Sequence, residues 1–159
     1  MSGLPEFKQL FKGEIVTPGD EGYTQAIARW SATAERKARV VAFVKDTDDV
    51  ALALKYARTN DLHVAIRCGG HSPAGASSAE DGLVIDLSRY FDYAVVDTEK
   101  RTARVGGGSL WATVENEAIK HGLAGVAGTV NHVCWVNCDF AFHVVLTRIQ
   151  TGVSGCAPY

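Results

Sequence analysis

A pair of glycines in the turn that follows an apolar run constrains this chain more than any other feature of its sequence. The run 62–66 is typical of a strand. It leads into a six-residue turn made of Arg67, Cys68, Gly69, Gly70, His71 and Ser72. Glycine allows positive φ angles and a close approach of the backbone to a ligand. Successive amide N–H groups in such a turn can hold phosphate oxygens. With an arginine and a hydroxyl beside them, the glycines predict an anion-binding turn.

The apolar patterns before the turn predict strands that alternate with helices. Residues 39–45 are rich in β-branched side chains and predict a strand. The acidic run 46–49 supplies capping groups for a helix that ends at Asn60 and Asp61. The strand 62–66 follows. Connections this short favour a parallel pair of strands with a right-handed crossover.

The patterns after the turn predict further strands and one more helix, so that an α+β fold results. Residues 82–87 form an apolar strand, and 93–97 with 102–105 predict a hairpin. Ser109 is expected to cap a helix that stops at Gly122.

The spacing of apolar residues near the beginning of the chain predicts helical structure there. Residues 7–15 form one amphipathic segment. Tyr23, Ile27 and Trp30 recur at helical spacing and predict a short helix.

Composition excludes several classes of protein. The length of 159 residues suits one domain, and the net charge of −2 gives no basic footprint for nucleic acid. No apolar run reaches the length of a membrane span, and the first residues lack a signal-peptide stretch, so a cytoplasmic location without membrane association is expected. Three of the four cysteines follow residue 133, a distribution unlike that of a disulfide framework.

The order of three motifs resembles a known family. The turn 67–72, the segment 82–88 (Gly-Leu-Val-Ile-Asp-Leu-Ser) and the Val-Gly-Gly-Gly at 105–108 are similar to the FAD-binding (PCMH-type) domain of the vanillyl-alcohol oxidase / p-cresol methylhydroxylase superfamily. The similarity is greatest to berberine-bridge-enzyme-like FAD-linked oxidases and extends over 30–133. It implies the N-terminal half of such a domain, with small mixed sheets flanked by helices. Residues 1–29 are then a helical lead-in, and 134–159 a divergent apolar tail.

The resemblance also implies a cofactor, FAD, and the residues that bind it. The pyrophosphate is expected over the turn 67–72, with the glycines 106–108 nearby, and His71 is implied to bond covalently to the flavin. Val130 takes the place of a cysteine found in doubly linked members, so attachment through His71 alone is implied. The implied cofactor-binding residues are Arg67, Cys68, Gly69, Gly70, His71, Ser72, Gly75, Gly128, Thr129, Val130 and Val133.

The activity implied by the resemblance is that of an FAD-dependent oxidoreductase. Hydride would pass from a small alcohol, sugar or amine substrate to the flavin, with dioxygen as the electron acceptor. The family's substrate-selecting residues and catalytic base follow in a substrate domain that these 159 residues do not include. No catalytic residue is therefore assigned, and the chain alone is expected to be inactive.

The segment after residue 133 leaves other interpretations open. It contains only two charged residues, Asp139 and Arg148, and lacks the glycines expected there. We interpret it as out-of-frame or retained-intron translation, or as an incorrect gene model. One alternative function is a flavin-binding module without turnover. Another is a small zinc protein, because thiolates and imidazole are suitable zinc ligands. Its ligands would be Cys134, Cys138, His143 and Cys156.

Overall fold

The chain forms two small sheets flanked by helices. The computed structural model describes residues 3–126, 130–133 and 141–148, and these residues confirm the predicted α+β class. The helices are α1 (Leu4–Leu10), α2 (Tyr23–Ile27), α3 (Thr47–Thr59) and α4 (Trp111–Ile119), with a 3-10 turn at Ala32–Ala34. The strands are β1 (Glu14–Val16), β2 (Val40–Phe43), β3 (Val64–Arg67), β4 (Leu83–Asp86), β5 (Ala94–Asp97), β6 (Thr102–Gly106), β7 (Leu123–Gly125) and β8 (Ala141–Arg148).

The first sheet has the order β1-β2-β4-β3. Strands β2 and β3 both run parallel to β4, whereas β1 is antiparallel to β2. Strands β2 and β3 therefore run parallel in one sheet, as the sequence predicts, but they do not pair directly, because β4 lies between them. All four residues of β4 are buried, as suits a central strand that is covered on both faces.

Two apolar cores cover the faces of this sheet. On one face, side chains of α1 and α3 pack with Val40, Leu83 and Ile85. On the other face, α2 and the segment before β2 contribute Ala26 and Ala38. The two central strands, β2 and β4, are therefore covered on both faces.

The second sheet has the order β5-β6-β8-β7 and is antiparallel throughout. The predicted hairpin is confirmed, since β5 pairs with β6 from Asp97 opposite Thr102 onward. Helix α4 packs on the sheet through Trp111, Val114 and Ala118. Strand β8 comes from the segment 134–159 and lies inside the sheet, between β6 and β7.

Some predicted helix limits hold and others fail; Trp30, for example, was expected in the short helix that begins at Tyr23, but α2 ends at Ile27. Asp46 caps α3 by accepting hydrogen bonds from two backbone N–H groups, and Gly122, at φ +65°, ends the turn after α4. Ser109 does not cap α4. Its buried hydroxyl instead accepts from the N–H of Tyr93 and donates to nearby carbonyls, which ties β5 to the glycine segment 106–108. Residues 7–15 are not one amphipathic element, because α1 ends at Leu10 and β1 begins at Glu14.

Within the described residues, each helix is too short or too polar to cross a bilayer.

Asp49 connects the start of α3 to two other segments. Its side chain is fully buried and accepts three backbone hydrogen bonds, from Lys12 at 2.8 Å and from Gly13 and Lys45 at 2.9 Å each. Buried carboxylates need such partners, since an unpaired charge is costly inside a protein. One acidic side chain thus fixes the entry to β1 and the exit from β2.

We expect Asp49→Asn to lower the free energy of unfolding by about 3 kcal/mol, because the amide replaces one acceptor oxygen with a donor that faces an N–H. Urea denaturation followed by circular dichroism measures the change. The matched control is Asp48→Asn, which removes an exposed ion pair with Lys12 and should cost less than about 1 kcal/mol. Equal effects of the two substitutions would contradict this account of Asp49.

Candidate functional site

The predicted turn begins where two parallel strands end together. Arg67 of β3 lies in register with Asp86 of β4, and its Nη1 donates to Asp86 Oδ2 at 2.6 Å. The Asp86 carboxylate is fully buried and also accepts from the N–H and hydroxyl of Ser88. The charge that Arg67 was expected to offer an anion is therefore partly neutralised. Its Nε remains buried without a hydrogen-bond partner among the described residues.

The two glycines of the turn serve different purposes. Gly70 has a φ of +72°, where a side chain is strained, and a Cβ on it would lie 3.1 Å from Cδ of Arg29 and 3.3 Å from Nε of Arg67. A Cβ on Gly69 would lie 2.6 Å from the ring of His71 and 3.0 Å from Leu110. Gly70 thus allows the backbone to turn, and Gly69 makes room for the imidazole.

Arg29 lies buried beneath the turn. Its side chain donates to the carbonyl of Ser77 from Nε at 3.1 Å and from Nη2 at 2.7 Å, and from Nη1 to the carbonyls of Ala26 and Ala28. Burial, and then the nearby guanidinium of Arg67, lower the pKa of Arg29 to about 10. Two cations therefore lie close together beside the fully buried carboxylate of Asp86.

The loop that follows the turn is closed by its own hydrogen bonds. The Ser72 carbonyl accepts from the N–H of Gly75 at 3.1 Å, and the Ser72 hydroxyl accepts from the N–H of Ala76 at 3.2 Å. The carbonyl of Gly75, at φ +80°, accepts from the N–H of Ser78. The hydroxyl of Ser72 keeps a proton that it can donate.

Several donors of this loop and of the turn have no acceptor among the described residues. The hydroxyls of Ser77 and Ser78 are buried, and neither has a hydrogen-bond partner in the part of the chain that the structure describes. No described group accepts from the backbone N–H of Gly69, Gly70 or Ser72. Buried polar groups are normally satisfied, so this cluster is a candidate site for a group that accepts hydrogen bonds. Hydroxyl, amide and guanidinium donors are the groups that bind a phosphate.

A second loop approaches the turn through its histidine. The ring centroids of His71 and His132 lie 6.0 Å apart at an interplanar angle of 43°. The loop is held in place because the carbonyls of Asn131 and Val133 accept hydrogen bonds from the first residues of α4. The structure thus brings together His71 and the segment 130–133, two parts of the chain predicted to share one site. Val130 is 41% exposed within this segment.

The other predicted site residues are placed as follows. Cys68 is half-buried, and its Sγ lies 3.6 Å from the carbonyl of Ser109. Gly128 and Thr129 lie outside the described residues. The same holds for Cys134, Cys138 and Cys156, so the zinc alternative stays a prediction.

The glycines 106–108, which were expected near the pyrophosphate, have a packing role that is visible in the structure. A Cβ on Gly106 would lie 2.1 Å from the carbonyl oxygen of Phe91, and one on Gly108 would lie 2.1 Å from that of Leu87. Their N–H groups donate to carbonyls of the adjoining segment. These glycines allow two backbone segments to touch. Leu110, which follows them closely in the chain, packs beside Gly69 of the turn.

Sequence reasoning gave no role to five residues that the structure places at the site. They are Arg29, Ser77, Ser78, Asp86 and His132. Asp86 lies inside a quoted motif, and its acidic side chain at the end of an apolar strand was a signal for a buried partner. Arg29 had no such signal, because a lone arginine after a short helix is usually exposed.

We expect Gly70→Ala to destabilise the protein more than Gly75→Ala does, although both residues have positive φ angles. A Cβ on Gly75 would lie 3.8 Å from its nearest neighbour, so that substitution costs only the backbone strain, about 1 kcal/mol. At Gly70 the crowding against Arg29 and Arg67 should raise the cost to about 2–3 kcal/mol. Urea denaturation of both variants measures the difference, and equal costs would contradict the close packing at Gly70.

Comparison with known proteins identifies the family to which this chain is similar. The family model described as the FAD binding domain matches residues 38–134. The (R)-6-hydroxynicotine oxidase of Paenarthrobacter nicotinovorans is 34% identical over 117 residues, which are 74% of this chain and 25% of that protein. An FAD-linked oxidoreductase of Aspergillus terreus is 33% identical over 132 residues, covering 80% of this chain and 27% of that protein.

Solved structures show the same fold. The 6-hydroxy-D-nicotine oxidase of Arthrobacter nicotinovorans superposes with a TM-score of 0.74 at 33% identity, over 78% of this chain and 27% of that chain. A berberine-bridge-like enzyme of the moss Physcomitrella patens superposes with a TM-score of 0.74 at 20% identity, over 82% and 29% of the two chains. The chain spans about a quarter of the length of the curated relatives it matches. With the motifs, the fold and a matched region of this extent, the chain belongs to the FAD-binding domain family of FAD-linked oxidoreductases.

Proposed function

We propose that this chain is the FAD-binding part of an FAD-linked oxidase that acts on a small molecule, with the flavin tethered at His71. The observation that carries the proposal is the set of unpaired donors at the turn after β3. Two buried hydroxyls and one buried guanidinium nitrogen have no partner among the described residues. Family membership supplies a diphosphate-containing cofactor whose oxygens suit those donors.

The residues of the turn fit the pyrophosphate of FAD. Ser77 and Ser78 would donate their hydroxyl protons, and Gly69 and Gly70 their backbone N–H groups. Arg67 would contribute the proton on Nε, while its Nη1 stays bonded to Asp86. Charge-assisted and amide donors of this kind are the usual partners of phosphate oxygens. Gly70 would also let the backbone approach those oxygens without a side chain in between.

The surroundings of His71 support the proposal that it bonds to a flavin at this turn. It directly follows the two glycines, it is half-buried, and its ring lies over Gly69, which has no side chain to displace it. His132, on the neighbouring loop, is its nearest described aromatic partner at 6.0 Å. A covalent bond from the His71 imidazole to the flavin 8α-methyl carbon would prevent the cofactor from dissociating. Its formation would replace one C–H bond of that methyl group, with the protons passing to solvent and the two electrons to the flavin and then to dioxygen.

FAD, when bound, supplies the hydride acceptor of the proposed oxidation, and the protein supplies position and electrostatics. The substrate would be a small alcohol, sugar or amine, and dioxygen would accept the electrons. The relative named 6-hydroxynicotine oxidase supports the amine class. For the chain as given we propose cofactor binding without turnover, because it spans about a quarter of the relatives that carry out the complete reaction.

A single absorption experiment tests the tether. The chain is incubated with FAD and precipitated with acid, and the flavin absorbance of pellet and supernatant is measured. Flavin bands are expected in the pellet for the native sequence, and in the supernatant for His71→Ala. The control, His121→Ala, removes a partly exposed histidine of the turn after α4 and should leave the flavin in the pellet. Native protein that releases all of its flavin would contradict attachment at His71.

Turnover is tested separately. We expect the 159-residue chain loaded with FAD to form no hydrogen peroxide above background with sugars, alcohols or amines. A peroxidase-coupled dye assay detects peroxide, and a full-length FAD-linked oxidase serves as the positive control. Peroxide formation that depends on both substrate and chain would show that these residues suffice for catalysis.

A further inference from the structure

We propose that Arg29, which lies outside the region matched by the family model, is the positioning residue of the diphosphate loop. It would hold the loop 72–78 from below so that the hydroxyls of Ser77 and Ser78 are presented to the diphosphate. This inference rests on the proposed function and adds a residue, and with it the segment 26–30, to the site.

The hydrogen bonds of Arg29 give it this role. Arg29 is 9% exposed, and two of its nitrogens bond to the carbonyl of Ser77. The third nitrogen bonds to the carbonyls of Ala26 and Ala28, so one guanidinium joins the end of α2 to the loop 72–78. A planar fork of donors fixes both the distance and the orientation of the group that it holds. Ser77 is the first of the two residues whose hydroxyls have no described partner.

A second contact joins the same segment to the glycine turn. The N–H of Trp30 donates to the carbonyl of Gly70 at 3.2 Å. A Cβ on Gly70 would come within 3.1 Å of Cδ of Arg29. Residues 29 and 30 therefore hold both halves of the proposed cradle, the turn 67–72 through Trp30 and the loop 72–78 through Arg29.

The charge of Arg29 is suited to the same ligand. The charged groups around it are Arg67, Asp86 and Glu35, the last of which accepts from the backbone N–H of Arg29 at 3.4 Å. Burial and Arg67 lower the pKa of Arg29 to about 10, which leaves the side chain protonated at neutral pH but less stable than in water. A dianionic diphosphate above the loop would offset that cost.

A double-substitution cycle tests the proposal with ADP as the probe, its affinity measured by isothermal titration calorimetry. Arg29→Lys keeps the positive charge but loses the planar set of guanidinium donors. Ser77→Ala removes the hydroxyl but keeps the backbone carbonyl to which Arg29 donates. We expect each substitution to weaken ADP binding by about tenfold, as for the loss of one good polar contact. Because both act through one loop, the double variant should also lose about tenfold, rather than the roughly hundredfold of independent effects.

The matched control is Arg36→Lys. Arg36 also donates to backbone carbonyls, those of Thr33 and Glu35, but it is exposed and makes no described contact with the turn. It should bind ADP as the native chain does. Native affinity in Arg29→Lys, or additive losses in the double variant, would overturn the positioning role, since a residue that merely supports folding shows no specific coupling to the Ser77 hydroxyl.

Hydrogen exchange on the native chain tests the same idea without any substitution, so it does not depend on a variant that folds. ADP should slow amide exchange in 26–30 together with 67–78. Protection of 67–78 alone would overturn the role of Arg29 and leave the proposed function intact. If the native chain binds neither ADP nor FAD, both proposals fail.

Discussion

The ion pair between Arg67 and Asp86 is the interaction on which the proposed site depends. It connects the last residues of two neighbouring parallel strands, in register, and its carboxylate is fully buried. Breaking such a pair leaves an uncompensated charge in the interior, so the ends of β3 and β4 are fixed relative to each other. The turn 67–72 leaves β3 directly from this anchor, and the segment 87–91 leaves β4 from it. The proposed position of the cofactor therefore depends on the Arg67–Asp86 ion pair.

The glycines show how one residue type can support a site in unrelated ways. At Gly70 the backbone needs a positive φ angle, and at Gly69 the neighbouring imidazole needs room. At Gly106 and Gly108 the backbone presses against carbonyls of the segment 87–91, so that no ligand is needed to explain them. A glycine-rich motif in the sequence therefore does not by itself locate a ligand. The unpaired hydroxyls and amides around the turn provide the separate evidence.

The sequence was enough to predict several of the elements but not their neighbours, and β1, β7 and β8 had no predicted counterpart. Periodicity and capping residues located α3, β3, β4 and the β5–β6 hairpin, because those signals are local. The insertion of β4 between β2 and β3 depends on which strand is covered on both faces, and that follows from packing across the whole sheet. Ser109 failed as a cap for a similar reason, since its hydroxyl bonds to Tyr93, which is distant in sequence.

Some residues of the candidate site could likewise be predicted from the sequence, and others could not. The turn 67–72 could be found from its residue order, because glycines, a histidine and a hydroxyl follow a strand without interruption. Arg29 could not be found, since its role arises from hydrogen bonds to a carbonyl 48 positions away. Ser77 and Ser78 could be recognised only once their burial and lack of described partners were known.

The charges of the buried side chains at the site also support the proposal that it binds an anion. Arg29 and Arg67 lie close enough for the charge of one to lower the pKa of the other, and the carboxylate of Asp86 is already engaged by Arg67 and Ser88. Hydrogen bonding alone would be satisfied by water, which could enter a turn of this exposure. Water, however, carries no charge to interact with the guanidinium of Arg29, whose pKa burial and Arg67 lower to about 10. A diphosphate would accept from the donors and would also interact through its charge with Arg29 and Arg67, and these two properties together distinguish the proposed ligand from solvent.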